Sequence, residues 1–407
     1  MERSYQQTKT YDIHPISIKQ IIKGHPWVTI DKYSEQFNPR EKFIVAANKK
    51  RPFALLIHDP THKNIRARVW STRGDFQKSI KNFKGELKQR LIKSFDSRIQ
   101  NKILDQRNNF YLVFGEGDEL PGLNIQYLNG EILIQFYMNF WEQYQEDLFK
   151  IILTYCKEHL SENITRNNLW IQKRADIKEP AKCLDPNISF KEITVTEFFV
   201  KYKVVLGKFY DHGIYTDMSA IRAKLSGLFD ESKSVLNLFS YTGAFSLYAL
   251  KKDADKVVSI DLSDTYIEWL EENIKLNNFD KDKHQSIVSS VSAAISKMIK
   301  DQDQFDLIIS DPPSSSSDKN KRSNAFNDYK EYLPKYAELL AKDGHLIAFL
   351  NTHKTTMRKF EDQIVQIIKD KNLPLKLVSK HYLAEDCPHK KGFPEGSYLK
   401  GILLKKS

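Results

Sequence analysis

The chain reads as an α/β fold built on a Rossmann-like parallel sheet, preceded by a β-rich N-terminal module and a middle α/β region. Three observations carry this. From residue 234 on, apolar runs of strand length alternate with helical periods, at 234–238, 245–252, 257–261, 264–277, 286–289, 306–310, 325–341, 345–350 and 356–371. Such alternation implies parallel strands joined by crossover helices. Two closing strands, 375–382 and 397–404, follow without a helix between them, which implies an antiparallel hairpin at one edge. Finally, Val235-Leu-Asn-Leu-Phe-Ser-Tyr-Thr-Gly-Ala-Phe-Ser246 has the form of a strand, a tight turn at Thr242-Gly243 and a helix, and the next apolar run ends on Asp261.

The earlier elements follow in order. Residues 1–74 predict a small β-rich module with strands at Trp27-Val-Thr-Ile, Phe43-Ile-Val-Ala, Phe53-Ala-Leu-Leu-Ile-His and Ile65-Arg-Ala-Arg-Val-Trp70. In the last run Arg66 and Arg68 share one face and Ile65, Ala67 and Val69 the other, a half-buried strand with a basic side that can grip an RNA backbone. Residues 75–107 are helical, with Phe76, Ile80, Phe83, Leu87, Leu91 and Phe95 at three-to-four spacing as core rather than a stacking platform. Phe110-Tyr-Leu-Val-Phe-Gly115 opens the middle α/β region, Gly117 to Asn124 supplies a turn, Gly130 to Phe136 a strand and Trp141 to His159 an amphipathic helix, and Lys178 to Asn187 reads as a linker. The boundaries are thus 1–74, 75–190 and 191–407.

A first-turn glycine lets a ligand approach backbone, and an acid after the second strand accepts ribose hydroxyls, so the 235–261 unit suits an adenosine cofactor. The three-glycine turn that cradles a pyrophosphate is absent, because Gly243 stands alone. That favours S-adenosylmethionine over a nicotinamide. A glycine kept only for helix packing, with a solvated Asp261, is the other reading.

At 407 residues, against roughly 150 per domain, two or three domains are expected. The 41% hydrophobic share is that of a folded soluble protein, no run of eighteen apolar residues occurs, and Met1 to Lys9 is polar, so a cytoplasmic location with no membrane contact is expected. Three scattered cysteines, Cys156, Cys183 and Cys387, give neither a disulfide framework nor a metal spacing, and no metal is expected. A net charge of +11, with basic residues concentrated before residue 107, favours a polyanionic partner; a solvated basic surface is the alternative.

Lys23-Gly-His-Pro-Trp-Val28, the 65–70 strand, Gly115-Glu-Gly-Asp-Glu-Leu-Pro-Gly122, Asn237–Gly243, Asp311-Pro-Pro313 and Phe393-Pro-Glu-Gly-Ser-Tyr-Leu-Lys-Gly401 resemble, in order across nearly the whole chain, the bacterial 23S rRNA cytosine-C5 methyltransferases that carry an N-terminal PUA domain. The resemblance implies a PUA domain, a middle α/β domain and a class I methyltransferase domain, with large-subunit rRNA or its precursor particle as partner. Oligomeric state is left open, a homodimer being one option. The family's Gly-[FY]-[FY]-Leu-Asp-Gln-Arg segment appears as Gly213-Ile-Tyr-Thr-Asp-Met-Ser219, so Asp217 and Arg222 carry over as cofactor residues while the Gln-Arg pair does not. The acid expected after the third strand is replaced by serine near Ser290, and the aromatic expected just after Asp-Pro-Pro is missing.

The family's catalytic cysteine is replaced within Phe349-Leu-Asn-Thr-His353. Cytosine C5 becomes nucleophilic only after a thiolate adds at C6, and Asn351 cannot supply one. Asp311-Pro-Pro followed by serines, with Asn351 and Lys354, is similar to the guanine-N7 half of the fused 23S rRNA methyltransferase, whose acceptor nitrogen already carries a lone pair. The expectation is therefore methylation of a 23S rRNA base at a purine nitrogen such as guanine N7. Cytosine C5, with Cys387 as substitute thiol, and a non-catalytic assembly factor that retains the fold are the alternatives. Asn237, Ser240, Tyr241, Gly243, Asp261 and Leu262 hold the cofactor; Asp311, Pro312 and Asn351 orient the base; Arg66, Arg68 and Lys354 contact RNA. Phe326 and Tyr329 read as core or as stacking residues, and Ser314 to Ser317 as a lid or a plain loop.

Overall fold

The computed structural model describes residues 9–175, 178–313 and 325–407, with the backbone of two short strands at Ser316–Asp318 and Lys321–Ser323. The first eight residues and the side chains of the Ser314 to Ser317 run lie outside the described residues. Two compact units emerge: Met1–Glu192 with Val205–His212 and Asp386–Gly396, and Ile193–Val204 with Gly213–Glu385 and Ser397–Ser407.

The first unit opens with β1 (Thr10–Asp12), α1 (Pro15–Ile22), β2 (Trp27–Thr29), β3 (Phe43–Asn48), β4 (Arg51–His58) and β5 (Ile65–Ser71). The strands form one sheet in the order β1-β3-β4-β5-β2. Strand β1 and helix α1 carry too short an apolar period to stand out in the sequence. Both faces of this sheet are covered: Ile44, Ala46, Ala54, Leu56 and Ala67 face one core, whereas Val45, Leu55, Ile57 and Trp70 face another shared with the following helices. Helices α2 (Phe76–Lys81) and α3 (Phe83–Gln100) come next, and Phe83, Leu87, Leu91 and Phe95 are buried in that second core, as their spacing predicts.

Strands β6 (Asn109–Phe114), β7 (Leu123–Leu128) and β8 (Glu131–Phe136), helix α4 (Gln145–His159), then β9 (Leu169–Lys173) and β10 (Lys182–Cys183) complete the middle region, with sheet order β10-β9-β8-β7-β6. The segment read as a linker thus contributes β10, which pairs antiparallel with β9 through Lys182 and Cys183. Strands β11 (Lys191–Glu197) and β12 (Val200–Leu206) form a two-stranded sheet that the sequence reading left unassigned.

In the second unit α5 (Ser219–Lys224) and α6 (Ser226–Glu231) lead into β13 (Ser234–Leu238), α7 (Ala244–Lys251), β14 (Lys256–Asp261), α8 (Asp264–Leu276) and β15 (His284–Val288). Then come α9 (Val291–Lys300), β16 (Phe305–Ser310), the short antiparallel pair β17 (Ser316–Asp318) and β18 (Lys321–Ser323), α10 (Ala325–Leu339), β19 (Leu340–Asn351), α11 (Met357–Asp370), β20 (Leu375–His381) and β21 (Leu399–Lys406). The seven-stranded sheet runs β15-β14-β13-β16-β19-β21-β20, parallel except for the antiparallel β21 pairings. Strand order reverses between β13 and β16, the place where open α/β sheets bind ligands beyond the carboxyl ends of their strands. Helix α9 had no counterpart in the sequence reading. Phe326 packs against the core of this unit and Tyr329 is buried in it, its hydroxyl donating to the Ser310 and Phe349 carbonyls at 3.1 and 2.6 Å, so both serve packing. Among the described residues no helix is long and apolar enough to cross a membrane.

Candidate cofactor pocket

A cavity of about 510 Å³ opens over the carboxyl ends of β13, β14 and β16. Its walls include ten of the residues singled out from sequence: Asp217, Arg222, Asn237, Ser240, Tyr241, Asp261, Leu262, Asp311, Pro312 and Asn351. Asn237, Asp261, Asp311 and Asn351 meet here because each stands at or just beyond a strand end, whereas Asp217 and Arg222 come from the segment before α5 and from α5 itself.

The turn after β13 sets the shape. Phe239 and Tyr241 both take positive φ, 57° and 51°, and Gly243 follows at 84°, so the chain folds back sharply before α7 starts. Asp261 fixes this turn: Oδ2 accepts from the Tyr241 amide at 2.8 Å and Oδ1 from the Ser263 amide at 3.0 Å. Each carboxylate oxygen keeps a further lone pair for ligand hydroxyls. Leu262, 66% exposed, lies beside it as an apolar ledge. Asn237 is held by its amide donating to Ser246 Oγ at 2.8 Å. Ser240 is buried, yet its hydroxyl has no hydrogen-bond partner among the described residues. An orphaned buried hydroxyl on a cavity wall costs stability unless a ligand satisfies it.

Gly243 itself does not line the cavity. A Cβ there would sit 2.5 Å from Leu270 Cγ, so this glycine is required by its positive φ and by the close packing of α8 on the turn. The expectation that a ligand meets backbone at Gly243 is not matched by the cavity, which is lined at this turn by Ser240, Tyr241, Thr242 and Ala244.

Asp217 and Asp311 bring two carboxyls to the same wall. Burial, and then the nearby Asp217 charge, push the Asp311 carboxyl up to about 7. The Tyr398 hydroxyl donates to Asp217 Oδ2. Tyr398 is anchored in turn, because the buried Lys400 ammonium donates to the carbonyls of Tyr398, Ser397 and Thr352 at 2.8 to 2.9 Å. Arg222 is fully buried and bonds Glu197 Oε2 through Nε and Nη2 at 3.0 and 2.6 Å, so its charge is matched within the wall. Tyr215, Tyr241 and Tyr266 form an aromatic side, with ring centroids 5.0 and 4.6 Å apart in succession. Sequence reasoning gave Tyr215, Tyr266 and Tyr398 no site role, although Tyr215 and Tyr398 stand within the 213–219 and 393–401 segments of the resemblance; the ring contacts and the bond to Asp217 mark them here.

Ser290 lines the cavity where an acid was expected, but its hydroxyl caps α9 by accepting from the Ala293 amide at 3.3 Å. Asn351 is exposed at the end of β19, opposite Leu399 of β21. Lys354 is exposed in the loop beyond and does not line the cavity. Cys387 is buried and is absent from the cavity wall.

In the first unit Arg66 is partly exposed and donates to the Pro60 carbonyl at 2.7 Å. Arg68 differs from expectation. It is 4% exposed and pairs with Asp59 at 3.4 Å and Glu116 at 2.6 Å. Although burial opposes its charge, Glu116 is held below the usual carboxylate range by Arg68 and the Trp27 indole. The strand face expected to be basic and open is thus closed at Arg68, which is held in ion pairs within the fold, and partly open at Arg66.

Residues 120–363 match the model of a family described as S-adenosylmethionine-dependent methyltransferase, more than half of the chain. The chain belongs to that family. As a methyltransferase it uses S-adenosylmethionine, and the cavity suits that cofactor: Asp261 for ribose hydroxyls, an orphaned Ser240 hydroxyl, and carboxylates for a cationic donor. The methyltransferase is similar to YwbD of Bacillus subtilis, 30% identical over 321 residues that cover 78% of this chain and 79% of that one. It is also similar to the ribosomal RNA large subunit methyltransferase I of Pseudoalteromonas atlantica, 25% identical over 97% of this chain and 98% of its relative. Among solved structures, SMU.776 complexed with SAH superposes with a TM-score of 0.83 at 19% identity, covering 97% of this chain and 99% of that one, which establishes the shared Rossmann-like α/β fold.

Proposed function

We propose that this methyltransferase modifies a base of 23S rRNA in the large ribosomal subunit or its precursor, at a purine nitrogen such as guanine N7. The rRNA substrate is supported by relatives in Pseudoalteromonas atlantica and Vibrio cholerae named ribosomal RNA large subunit methyltransferase I, which this chain spans over 95% or more of its length. The acceptor is supported by one observation above all: Asp311, Pro312 and Asn351 flank the cavity, and no cysteine lines it among the described residues.

In this reading Asn237, Ser240, Tyr241, Asp261 and Leu262 hold the adenosine part of the cofactor, and Asp217 stands at its charged end with Arg222 as a neutralised wall. When bound, the cofactor supplies an electrophilic sulfonium methyl. Asp311 and the Pro312 carbonyl accept hydrogen bonds from base amino groups, and Asn351 offers both a donor and an acceptor to a base edge. A guanine N7 lone pair needs no proton removed and no covalent help, so alignment and exclusion of water suffice. The organisation proposed is a PUA-like RNA-binding module over 1–74, a middle domain over 75–190 and the catalytic domain over 191–407, with Arg66 and Lys354 on RNA.

Mass spectrometry of rRNA nucleosides from a deletion strain and its complemented parent tests the assignment. Loss of a methylated purine supports it. Loss of 5-methylcytidine would instead mean that the missing thiol has been replaced from elsewhere. Unchanged rRNA nucleosides would remove the rRNA assignment, and the assembly-factor alternative would then stand.

A further inference from the structure

A line of buried polar side chains runs away from the cofactor cavity, and each would be destabilising there without a hydrogen-bond partner. Asn237 on β13, which lines the cavity, donates its amide to Ser246 Oγ on α7 at 2.8 Å. Ser246 Oγ lies 2.7 Å from Ser259 Oγ on β14, and Ser259 Oγ lies 2.8 Å from His284 Nε2 on β15. The other ring nitrogen, Nδ1, stands 3.6 Å from Glu271 Oε1 on α8. Asn237, Ser246 and Ser259 are buried and the His284 side chain is 1% exposed, whereas that of Glu271 is 43% exposed. The Ser286 hydroxyl donates to the same Glu271 oxygen. Asn237 stands opposite Ser259, and Ser259 opposite Ser286, in the parallel ladder, so the line crosses three strands between a surface carboxylate and the cavity wall.

A hydroxyl both donates and accepts, so a chain of hydroxyls can run in either direction, and whatever fixes one end fixes the other. Glu271 fixes the outer end: a carboxylate only accepts, which places the ring proton of His284 on Nδ1 and leaves Nε2 as an acceptor. Burial, against the Glu271 charge, holds His284 below its usual pKa, so the ring is neutral at pH 8. Ser259 must then donate to His284 and accept from Ser246, and Ser246 must accept from Asn237. The amide nitrogen of Asn237 is thereby turned inward, and its Oδ1, which has no partner among the described residues, is left for the cavity.

We propose that Glu271, His284, Ser259 and Ser246 are positioning residues that set the Asn237 side chain as a hydrogen-bond acceptor for a donor group on the adenosine part of the cofactor. The proposal rests on the placement of that adenosine beside Asn237 given above. Were the chain reversed, Ser246 would donate to Asn237 Oδ1 and the amide nitrogen would face the cavity, leaving a ligand donor opposite a protein donor. No proton changes owner; the relay acts through its direction alone.

Calorimetric titration of the full chain with S-adenosylhomocysteine reads the coupling. Ser259→Ala cuts the chain at a residue outside the cavity wall and is expected to weaken binding about fivefold; Asn237→Ala removes the acceptor itself and is expected to weaken it about tenfold. The double variant is expected to bind no more weakly than Asn237→Ala alone, because a relay has nothing to act on once its end is gone. Losses that add, or a Ser259→Ala variant that binds as tightly as wild type, overturn the proposal. Nitrogen-15 NMR of the wild-type protein at pH 8, with the His284 ring assigned by through-bond correlation, reads the direction without any substitution and decides the matter should a variant fail to fold. A neutral ring protonated on Nδ1 is expected, and one protonated on Nε2 overturns the proposal. If S-adenosylhomocysteine binds but the losses add, only the relay falls; if it does not bind the wild type, the placement of the cofactor falls and the relay with it.

Discussion

The hydroxyl of Tyr398 donates to the carboxylate of Asp217, joining a residue behind the cavity to one on its wall, 181 positions away in the chain. Tyr398 stands just before β21, where Lys400 holds the local backbone carbonyls.

Tyr398→Phe removes a hydrogen bond to a largely buried carboxylate, a loss of about 1–3 kcal/mol. Cofactor affinity is expected to fall about tenfold, with kcat changed far less than KM for the donor. Titration calorimetry and steady-state kinetics check this, and an unchanged KM would mean that Asp217 does not depend on the phenol.

Gly243→Ala places a methyl group 2.5 Å from Leu270 Cγ in a residue at φ 84°. Overpacking and backbone strain together are expected to lower stability by about 2–4 kcal/mol. Urea unfolding followed by circular dichroism measures the loss. Because the glycine does not line the cavity, the folded fraction is expected to bind the cofactor with near-native affinity.

Arg68→Met leaves Asp59 and Glu116 facing each other without the guanidinium between them. Breaking a buried pair in this way costs about 3–5 kcal/mol. The denaturation midpoint is expected to drop accordingly, while rRNA affinity measured on folded protein stays within about twofold. A variant of native stability that no longer binds rRNA would restore Arg68 to the RNA surface.

The raised Asp311 carboxyl also links stability to pH. Its folded value, about 7, lies above the usual 3.8, so the folded state holds the proton more tightly. Stability conferred on the neutral form is complete below about pH 4 and is lost as pH rises to 7, a difference on the order of 4 kcal/mol. Asp311→Asn is therefore expected to raise the thermal midpoint of ligand-free protein at pH 8 and to leave it nearly unchanged at pH 4. Calorimetric scans at the two pH values check the sign.

The β13–α7–β14 unit and the antiparallel closing strands were legible because buried strands appear as short continuous apolar runs bounded by turns. Helix α9 shows in the sequence only as Val291, Ala294, Ile295 and Met298 at helical spacing behind a serine cap, a short signal. Alternation along β5 puts Arg68 on the face of Arg66 but does not show that Asp59, Glu116 and the Trp27 ring close over it. Of the ten cavity residues, those from Asn237 to Asn351 were legible because they stand at or just beyond strand ends, and Asp217 and Arg222 only through the resemblance. Tyr215 and Tyr266 were not, since which side chains close a wall depends on packing between segments far apart in sequence.

Strand β21 enters between β19 and β20, both of which precede it in the chain. Until it does, each neighbour presents a row of unpaired backbone groups, the kind of edge that recruits strands from other molecules. Leu399, its first residue, also lines the cavity, so the cavity is complete only in a sheet whose gap has been closed. A ligand held there adds stability to the molecule with β21 in place beside the edge strand β20 over one that lacks it.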